Sequence, residues 1–240
     1  MSVTFEKDKK CAELLLRIIL DRDDLEVIDS RTEQLLNNVT GRSCILDIYA
    51  VDLNGDRYDI EIQRADKGAS VKRARYHSSF LDANMLEKGE DYDNLRENYV
   101  IFITENDVLG YGEPIYHIKK IIEENNVQID DGSHIIYVNA SMRYSDTKLS
   151  KLMSDLYCTD PDKMNYKVLA DRVRYFKETE EGEKTMCDLL DDMMNKAKLE
   201  GKIEVANEMI KDGQLSLEKI AEYSGLSLEK IRELAGSKSA

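Results

Sequence analysis

Residues 46–63, "LDIYAVDLNGDRYDIEIQ", join two largely apolar segments through Asn54-Gly55. Asn-Gly between two such segments predicts a β-hairpin. Because side chains alternate between the two faces of a strand, Asp59, Glu61 and Gln63 share one face of the second strand. Aspartate is unfavourable in the middle of a strand, and Asp47 has apolar neighbours on both sides in the first strand. Asp47, Glu61 and Gln63 are therefore the first candidates for a functional role.

The geometry of the turn decides whether Asp47 faces Glu61. A two-residue Asn-Gly loop places the two carboxylates on opposite faces of the hairpin. A three-residue loop, with a type I turn and Gly55 in the left-handed conformation, pairs Asp52 with Asp56 and sets Asp47 opposite Glu61. The sequence Asp-x-Asn-Gly favours the three-residue loop.

Two carboxylates directly opposite each other in a β-ladder repel, and a divalent cation would remove that repulsion. Mg²⁺ prefers oxygen ligands and typically takes one or two carboxylates together with waters. Asp47 and Glu61 would supply the carboxylates, with the Ile62 carbonyl as a third ligand, and Gln63 would orient a metal-activated water. The alternative is that these residues form only the solvent-exposed face of an antiparallel pair.

The composition limits the classes of protein to which the chain can belong. Its 240 residues fit one large domain or a domain with an appendage, and the net charge is −14. Such acidity argues against a protein that coats nucleic acid electrostatically, so any contact with DNA must be local. Basic residues outnumber acidic ones in residues 63–88. Isolated cysteines, with no export signal or membrane-spanning run, predict a cytoplasmic protein.

Hydrophobic periodicity gives a coarse order of elements in the first part of the chain. Amphipathic helices are predicted at residues 7–21 and 69–87. Strands are predicted, besides the hairpin, at residues 25–28, 99–104, 115–118 and 134–140.

Beyond residue 147 the pattern is helical. A long charged helix is predicted over residues 180–212, with one apolar seam of Met186, Leu190, Met193 and Ala197 and a second of Leu199, Ile203, Ala206 and Ile210. Seams of this kind indicate intramolecular packing or a subunit contact, and they predict a homodimer through the C-terminal helices.

The C-terminal end contains an internal repeat. "LSLEKIAEYSG", residues 215–225, is followed by "LSLEKIRELAG", residues 226–236, and each copy predicts a short helix with a serine N-cap and a glycine end. The pair is similar to a helix-turn-helix. However, its acidic residues outnumber its basic ones, which favours association with protein over reading of DNA.

Taken together, the hairpin, the following "KRARYHSSFLDANMLEKGEDYDNL", "YVIFIT" and "SLEKIAEYSGLSLEKI" resemble the PD-(D/E)XK nuclease family transposases, which are related to recombination-promoting nucleases. The resemblance implies an α/β, restriction-endonuclease-like fold, with a mixed β-sheet flanked by helices and a helical C-terminal extension. It also implies Mg²⁺-dependent hydrolysis of DNA phosphodiesters, with Mn²⁺ as a substitute and a link to recombination or mobile elements. Asp47 and Glu61 then correspond to the metal ligands.

Gln63 stands where the superfamily pattern Glu-x-Lys has lysine. The replacement removes a positive charge that would stabilise the transition state, and Arg73 or Arg75 is predicted to supply it, with Tyr76 positioning one of them. Lys72 completes a predicted phosphate-binding cluster with these residues; the alternative for the cluster is a solvated helix face. The resemblance also suggests Glu13 as an acidic residue that the first helix presents to the metal.

No other chemistry is favoured by the sequence. His77, His117 and His134 have no metal-ligand spacing and are predicted to be surface or hydrogen-bonded core residues. We therefore expect a nuclease core over residues 1–145 and a helical region over 146–240, with DNA as partner and no membrane. The alternative function is a catalytically inactive scaffold or DNA-associated regulator that assembles through its helical tail.

Overall fold

The computed structural model describes residues 5, 8–36, 43–63 and 68–236, with only the backbone at 186–197 and 200. The described chain divides into two compact units, with the boundary between Lys177 and Glu178. No described helix combines the length and the apolar character that crossing a membrane requires.

The first unit is built on a mixed six-stranded sheet in the order β1-β2-β3-β4-β8-β5. Its strands are β1 Val27–Leu36, β2 Cys44–Asp52, β3 Arg57–Gln63, β4 Asn98–Thr104, β5 Ile115–Ile118 and β8 Ser133–Asn139. Strands β1, β2 and β3 form an antiparallel meander, β3, β4 and β8 are parallel, and β5 is antiparallel to β8. A separate ribbon consists of β6 Lys120–Ile122 and β7 Val127–Ile129.

Helices cover both faces of this sheet. One face packs against α1 Lys9–Leu20, α3 Lys148–Tyr157 and α4 Lys167–Glu178, through a core that contains Leu15, Ile60 and Leu152. The other face packs against α2 Val71–Ala83, which connects β3 to the parallel strand β4. The predicted α/β, restriction-endonuclease-like architecture is confirmed by this mixed sheet between helical layers.

The turn between β2 and β3 is the predicted three-residue loop. The amide of Asp52 donates to the carbonyl of Asp56, the amide of Gly55 donates to the carbonyl of Asp52, and Gly55 has a φ of +84°. The side chain of Asp52 also accepts hydrogen bonds from the amides of Asn54 and Asp56 and from the Tyr58 hydroxyl. Local turn chemistry therefore fixes the register of the hairpin.

Several elements differ from their predicted extent. β1 continues to Leu36 rather than ending at residue 28, because it pairs along most of β2. The predicted helix 69–87 is α2, which ends at Ala83. The ribbon β6–β7 was not predicted, since its short, exposed strands lack an alternating buried pattern.

The second unit consists of α5 Glu180–Asp212, α6 Leu217–Ser224 and α7 Leu228–Gly236. Its core contains Ala206, Ile220 and Ile231, with Ile210 packed against them, so residues of the second predicted seam bury against the repeat helices. The side chains of the first seam, Met186 to Ala197, lie outside the described residues.

Both repeat helices have the predicted serine N-cap, and the first has the predicted glycine C-cap. The hydroxyl of Ser216 accepts from the Lys219 amide, the hydroxyl of Ser227 accepts from the Lys230 amide, and Gly225 ends α6 in the left-handed conformation. The boundary of the nuclease core at residue 145 stays a prediction, and the first compact unit itself continues through α3 and α4.

Candidate metal and phosphate site

The acidic face of β3 lies beneath α2. Asp59 and Glu61 are 0% exposed, although the sequence also allowed a solvent-exposed face. That alternative, which was made for Asp47, Glu61 and Gln63, is wrong for Glu61, because the crossover from β3 to β4 places α2 directly over it. His77 of α2, itself buried, contacts both carboxylates, with its Nδ1 2.7 Å from Asp59 Oδ2 and 3.7 Å from Glu61 Oε1.

On the neighbouring strand β2, the chain is irregular at Asp47. Leu46 packs on the α2 side of the sheet and Ile48 on the α1 side, although regular alternation would place both on one side. Glu33, which falls opposite Asp47 in the pairing of β1 with β2, has a φ of +51°. An irregularity of this kind redirects a side chain and interrupts the ladder, as β-bulges beside active sites do.

Asp47 and Glu61 come together where the ladder between β2 and β3 is interrupted. The last regular pair is Ile48 with Ile60, so Asp47 and Glu61 are next in register. The amide of Asp47 donates to Glu61 Oε1 at 3.1 Å, and the amide of Ile62 donates to Asp47 Oδ2 at 3.0 Å. Each carboxylate thus accepts a hydrogen bond from a backbone amide of the opposite strand, in the place where a regular ladder would have a backbone carbonyl.

Glu61 is the centre of the charged network. Arg73 Nη2 lies 2.5 Å from Glu61 Oε2, and Gln63 Nε2 donates to the same oxygen at 3.2 Å. The Arg73 guanidinium also donates to the Gly68 carbonyl and lies 5.7 Å from the centre of the Phe102 ring. The predicted compensating cation is therefore beside the glutamine that replaces lysine.

Asp59 and His77 hold Arg73 in place. Arg73 Nε donates to His77 Nε2 at 3.2 Å, so Nε2 is an acceptor and Nδ1 carries the hydrogen that is donated to Asp59 Oδ2. This assignment makes His77 a neutral imidazole whose two nitrogens link the buried carboxylate to the arginine. Asp59 Oδ1 accepts from no N–H donor in the described chain, and the Asp59 carboxyl instead lies close enough to Glu61 for a side-chain hydrogen bond between the two acids.

Burial dominates the electrostatics of the acidic residues. Burial and then the charges of Asp59 and Asp47 raise the pKa of Glu61 to about 8. Burial and then the Asp47 charge raise the pKa of Asp59 well above its usual range. Burial also raises the pKa of Asp47, against the opposing effects of the Ile62 amide and Arg73. One arginine does not neutralise three carboxylates, so the site favours a further positive charge.

Gly68 leaves room for the Gln63 amide. A Cβ at this position would lie 2.1 Å from Gln63 Oε1, 2.9 Å from Gln63 Cδ and 3.4 Å from Arg73 Nη1. Any larger residue would push the amide or the guanidinium from its place. Glycine at this position therefore lets the end of the Gln63 side chain lie close to the backbone, and a larger residue would move that side chain.

The other predicted site residues lie elsewhere on the first unit. Glu13 accepts from the Val27 amide and pairs with Arg17 at 2.9 Å, which ties α1 to the start of β1. Its role as a metal ligand stays a prediction. Lys72 and Arg75 are exposed on α2, and Tyr76, at the exposed margin of that helix, packs on Phe80 with ring centres 4.9 Å apart.

Two ligand sets for a metal share Glu61. The predicted set is Asp47, Glu61 and the Ile62 carbonyl. The second set, in the described chain, is Asp59, Glu61 and His77. Their ligand atoms all lie within 4.8 Å of one another. Each set offers hard oxygen ligands, and the close approach of the acidic oxygens of Asp59 and Glu61 fits a divalent cation.

Sequence reasoning missed Asp59, His77 and Gly68 as members of the site. The available signals were the shared strand face of Asp59 and Glu61, and the four-residue spacing of Arg73 and His77, which places them on one side of a helix. No local pattern signals the approach of Gly68 to Gln63.

The mixed sheet and its buried acidic hairpin define a restriction-endonuclease-like α/β protein. The sequence model described as PD-(D/E)XK nuclease family transposase matches residues 5–212, and the chain belongs to that family. Family membership supports a nuclease-type function with DNA as the substrate. Searches of curated proteins and of solved structures gave no significant match.

Proposed function

We propose that the protein is a divalent-metal-dependent endonuclease that hydrolyses DNA phosphodiester bonds at the Asp47, Glu61 and Gln63 site. The observation that supports this most strongly is the interrupted ladder, in which Asp47 and Glu61 each accept a backbone hydrogen bond from the opposite strand. A break that brings the half-buried Asp47 carboxylate to the fully buried Glu61 carboxylate costs stability, and a bound cation would offset this cost.

Asp47 and Glu61 would hold Mg²⁺ or Mn²⁺, with the Ile62 carbonyl beside them. When bound, such an ion acidifies a water and offsets charge on the phosphodiester. We prefer this ligand set to Asp59, Glu61 and His77, because both nitrogens of His77 are already engaged with Asp59 and Arg73. A metal at His77 would have to displace the hydrogen on Nδ1.

Gln63 and Arg73 divide the work of the absent lysine. Gln63 orients the attacking water through its amide, which Gly68 leaves free to approach. Arg73 supplies positive charge at the carboxylate end of the site, where negative charge develops on the phosphate. Asp59 and His77 are positioning residues, since they act on the reaction only through Arg73.

DNA would approach over the exposed side of α2. Lys72 and Arg75 face solvent there, and Tyr76 presents an aromatic edge beside them. With a net charge of −14, the chain has no general affinity for phosphate, so these few contacts would set the position of the backbone. A role in recombination or mobile elements rests on the family description alone.

A plasmid-nicking assay with Mg²⁺ or Mn²⁺ tests the proposal. Wild type should cleave, Asp47→Asn and Glu61→Gln should abolish cleavage, and Lys211→Gln, which changes an exposed residue of the second unit, should leave it unchanged. Cleavage that persists in both acidic variants would show that a contaminating nuclease or another site is responsible.

The second candidate function is a catalytically inactive scaffold or DNA-associated regulator. It is favoured by the closed contacts of Glu61, whose Oε2 accepts from both Arg73 and Gln63. Absence of cleavage under any divalent ion, together with retained binding of DNA, would support this function.

A further inference from the structure

The carboxyl ends of the three parallel strands lie along one edge of the main sheet, beside the candidate site. Strands β3, β4 and β8 are paired in register, so that Gln63, Thr104 and Asn139 are aligned at this edge. Neighbouring strands are about 5 Å apart. Ligands of open α/β sheets bind outside the carboxyl ends of their strands. The segments that follow β4 and β8 are therefore placed to contact a bound substrate.

The segment 105–114, which leads from β4 to β5, follows this edge. Its first amide, that of Glu105, donates to the Gln63 carbonyl at 3.1 Å, and the amide of Asn139 donates to the Pro114 carbonyl at 3.0 Å. Both ends of the segment are thus bonded to the carboxyl ends of β3 and β8.

Tyr111 presents an exposed ring from this segment. The Asp107 carboxylate accepts from the amides of Gly110 and Gly112, on either side of Tyr111, at 2.9 and 2.8 Å. It also accepts from the hydroxyl of Tyr116, whose ring centre is 6.3 Å from that of Tyr111. Although these bonds order the loop around it, Tyr111 is 80% exposed. Burial of the ring therefore does not explain the ordered loop, and the ring is open to a ligand.

The chain after β8 places a positive charge and a second exposed ring at the same edge. Arg143 directly follows the 3-10 helix Ala140–Met142, which begins where β8 ends. Its guanidinium donates to the Ala140 carbonyl at 3.0 Å, and its Cζ lies 4.5 Å from the centre of the Tyr157 ring and 5.0 Å from that of Tyr144. Tyr144 is itself 83% exposed, so the face of its ring away from Arg143 is open to solvent.

No carboxylate neutralises Arg143, although the chain is acidic. Acidic residues outnumber basic ones by 48 to 34, yet Arg143 forms no ion pair in the described part of the chain. The nearby Asp146 pairs instead with Lys151 at 2.7 Å. Contact with two rings restricts the guanidinium before it binds, and arginine is well suited to phosphate. A phosphate on Arg143 and a base on the outer face of Tyr144 would together be one nucleotide.

We propose that Tyr111, Arg143 and Tyr144 form a contact surface for unpaired nucleotides of the DNA substrate, next to the bond that the Asp47 and Glu61 site cleaves. The inference rests on the proposed nuclease function. Arg143 binds a phosphate, and the two rings stack on bases. A base inside a duplex is already stacked on its neighbours, and freeing it costs free energy. The substrate class is therefore DNA with a single-stranded stretch at the site.

A purely structural role for Arg143 is the alternative. An arginine that only joins the end of β8 to α3 would explain the contacts with Ala140 and Tyr157. It would not explain why two rings at this edge are at least 80% exposed. Tyr92 is 81% exposed as well, but it precedes β4, at the amino ends of the parallel strands, and provides a matched control.

Fluorescence anisotropy of labelled DNA with the full chain in a chelator tests the proposal without cleavage. The probes are a single strand of about 12 nucleotides and the blunt duplex of the same sequence. Tyr111→Ala and Tyr144→Ala should each weaken binding of the single strand by about tenfold, and binding of the duplex by less than about twofold. Tyr111→Phe, Tyr144→Phe and Tyr92→Ala should bind as wild type does.

Two further measurements separate stacking from charge. Arg143→Gln should weaken binding of both probes, and Arg143→Lys should recover part of the loss. The fluorescence of 2-aminopurine in the single strand should be quenched by wild type and by Tyr144→Phe, but less by Tyr144→Ala, because quenching reports stacking on the ring.

The proposal is overturned if Tyr111→Ala and Tyr144→Ala bind the single strand as tightly as Tyr92→Ala does, or if wild type binds the duplex as tightly as the single strand. The plasmid-nicking assay keeps this result apart from the nuclease proposal. Cleavage by wild type without any effect of the tyrosine variants on binding rejects the contact surface alone. Ring-dependent binding without cleavage under any divalent ion rejects the nuclease alone.

Discussion

Replacing Asp59 with asparagine should stabilise the metal-free protein at alkaline pH. The ligand atoms of Asp59 and Glu61 lie within 4.8 Å of each other. At an effective dielectric constant of about 20, two unit charges at that separation repel by about 3 kcal/mol. Asparagine removes one charge and keeps an oxygen that can accept from His77 Nδ1, so the packing of α2 is preserved.

The pH dependence has a defined sign. Burial and the neighbouring carboxylates raise the pKa of Glu61 from 4.5 to about 8, so the folded chain retains a proton there that the unfolded chain has lost. The associated stability is fully present below pH 4.5 and is lost as pH rises through about 8. Removing the Asp59 charge lowers the pKa of Glu61 and reduces this loss.

Thermal unfolding followed by circular dichroism in a chelator measures the effect. For a chain of this size about 3 kcal/mol corresponds to a change in Tm of about 6–12 °C. The Tm of Asp59→Asn should exceed that of wild type by this amount near about pH 9 and match it near about pH 5. Glu61→Gln, which removes the titrating group, provides a reference. If the Tm of Asp59→Asn falls as much as that of wild type between about pH 5 and about pH 9, the coupling of the two carboxylates is refuted.

Two further predictions concern cleavage and DNA binding. Gly68→Ala should lower kcat about 100-fold in the plasmid-nicking assay, because its Cβ would displace the Gln63 amide. The control is Gly201→Ala, where a Cβ meets no atom within 4 Å, and this variant should cleave normally. Lys72→Ala and Arg75→Ala should each weaken DNA binding, measured by fluorescence anisotropy. Each should also reduce the slope of log affinity against log salt concentration by about 0.9. An unchanged slope would exclude phosphate contacts at α2.

The elements that the sequence predicts correctly are those set by local chemistry. Asn54-Gly55 and the preceding aspartate determine the turn, and the turn alone fixes the register that brings Asp47 to Glu61. β4 follows from a continuous apolar run, and all of its residues are buried.

The features that the sequence does not reveal depend on distant parts of the chain. The burial of Asp59 requires α2 to cross over that face of the sheet, and the role of His77 follows from the same crossover. The length of β1 is set by its pairing with β2, since its own residues are largely polar. Local periodicity contains none of this information.

Calorimetric titration with Mn²⁺ in the absence of DNA tests the assignment of the metal ligands most directly. Wild type should bind one ion with release of protons, because Glu61 must lose its proton to coordinate a metal. Asp47→Asn and Glu61→Gln should abolish binding, whereas Asp59→Asn should retain it. Unchanged binding by Asp47→Asn, or loss of binding only in Asp59→Asn and Glu61→Gln, would contradict the proposed Asp47 and Glu61 site.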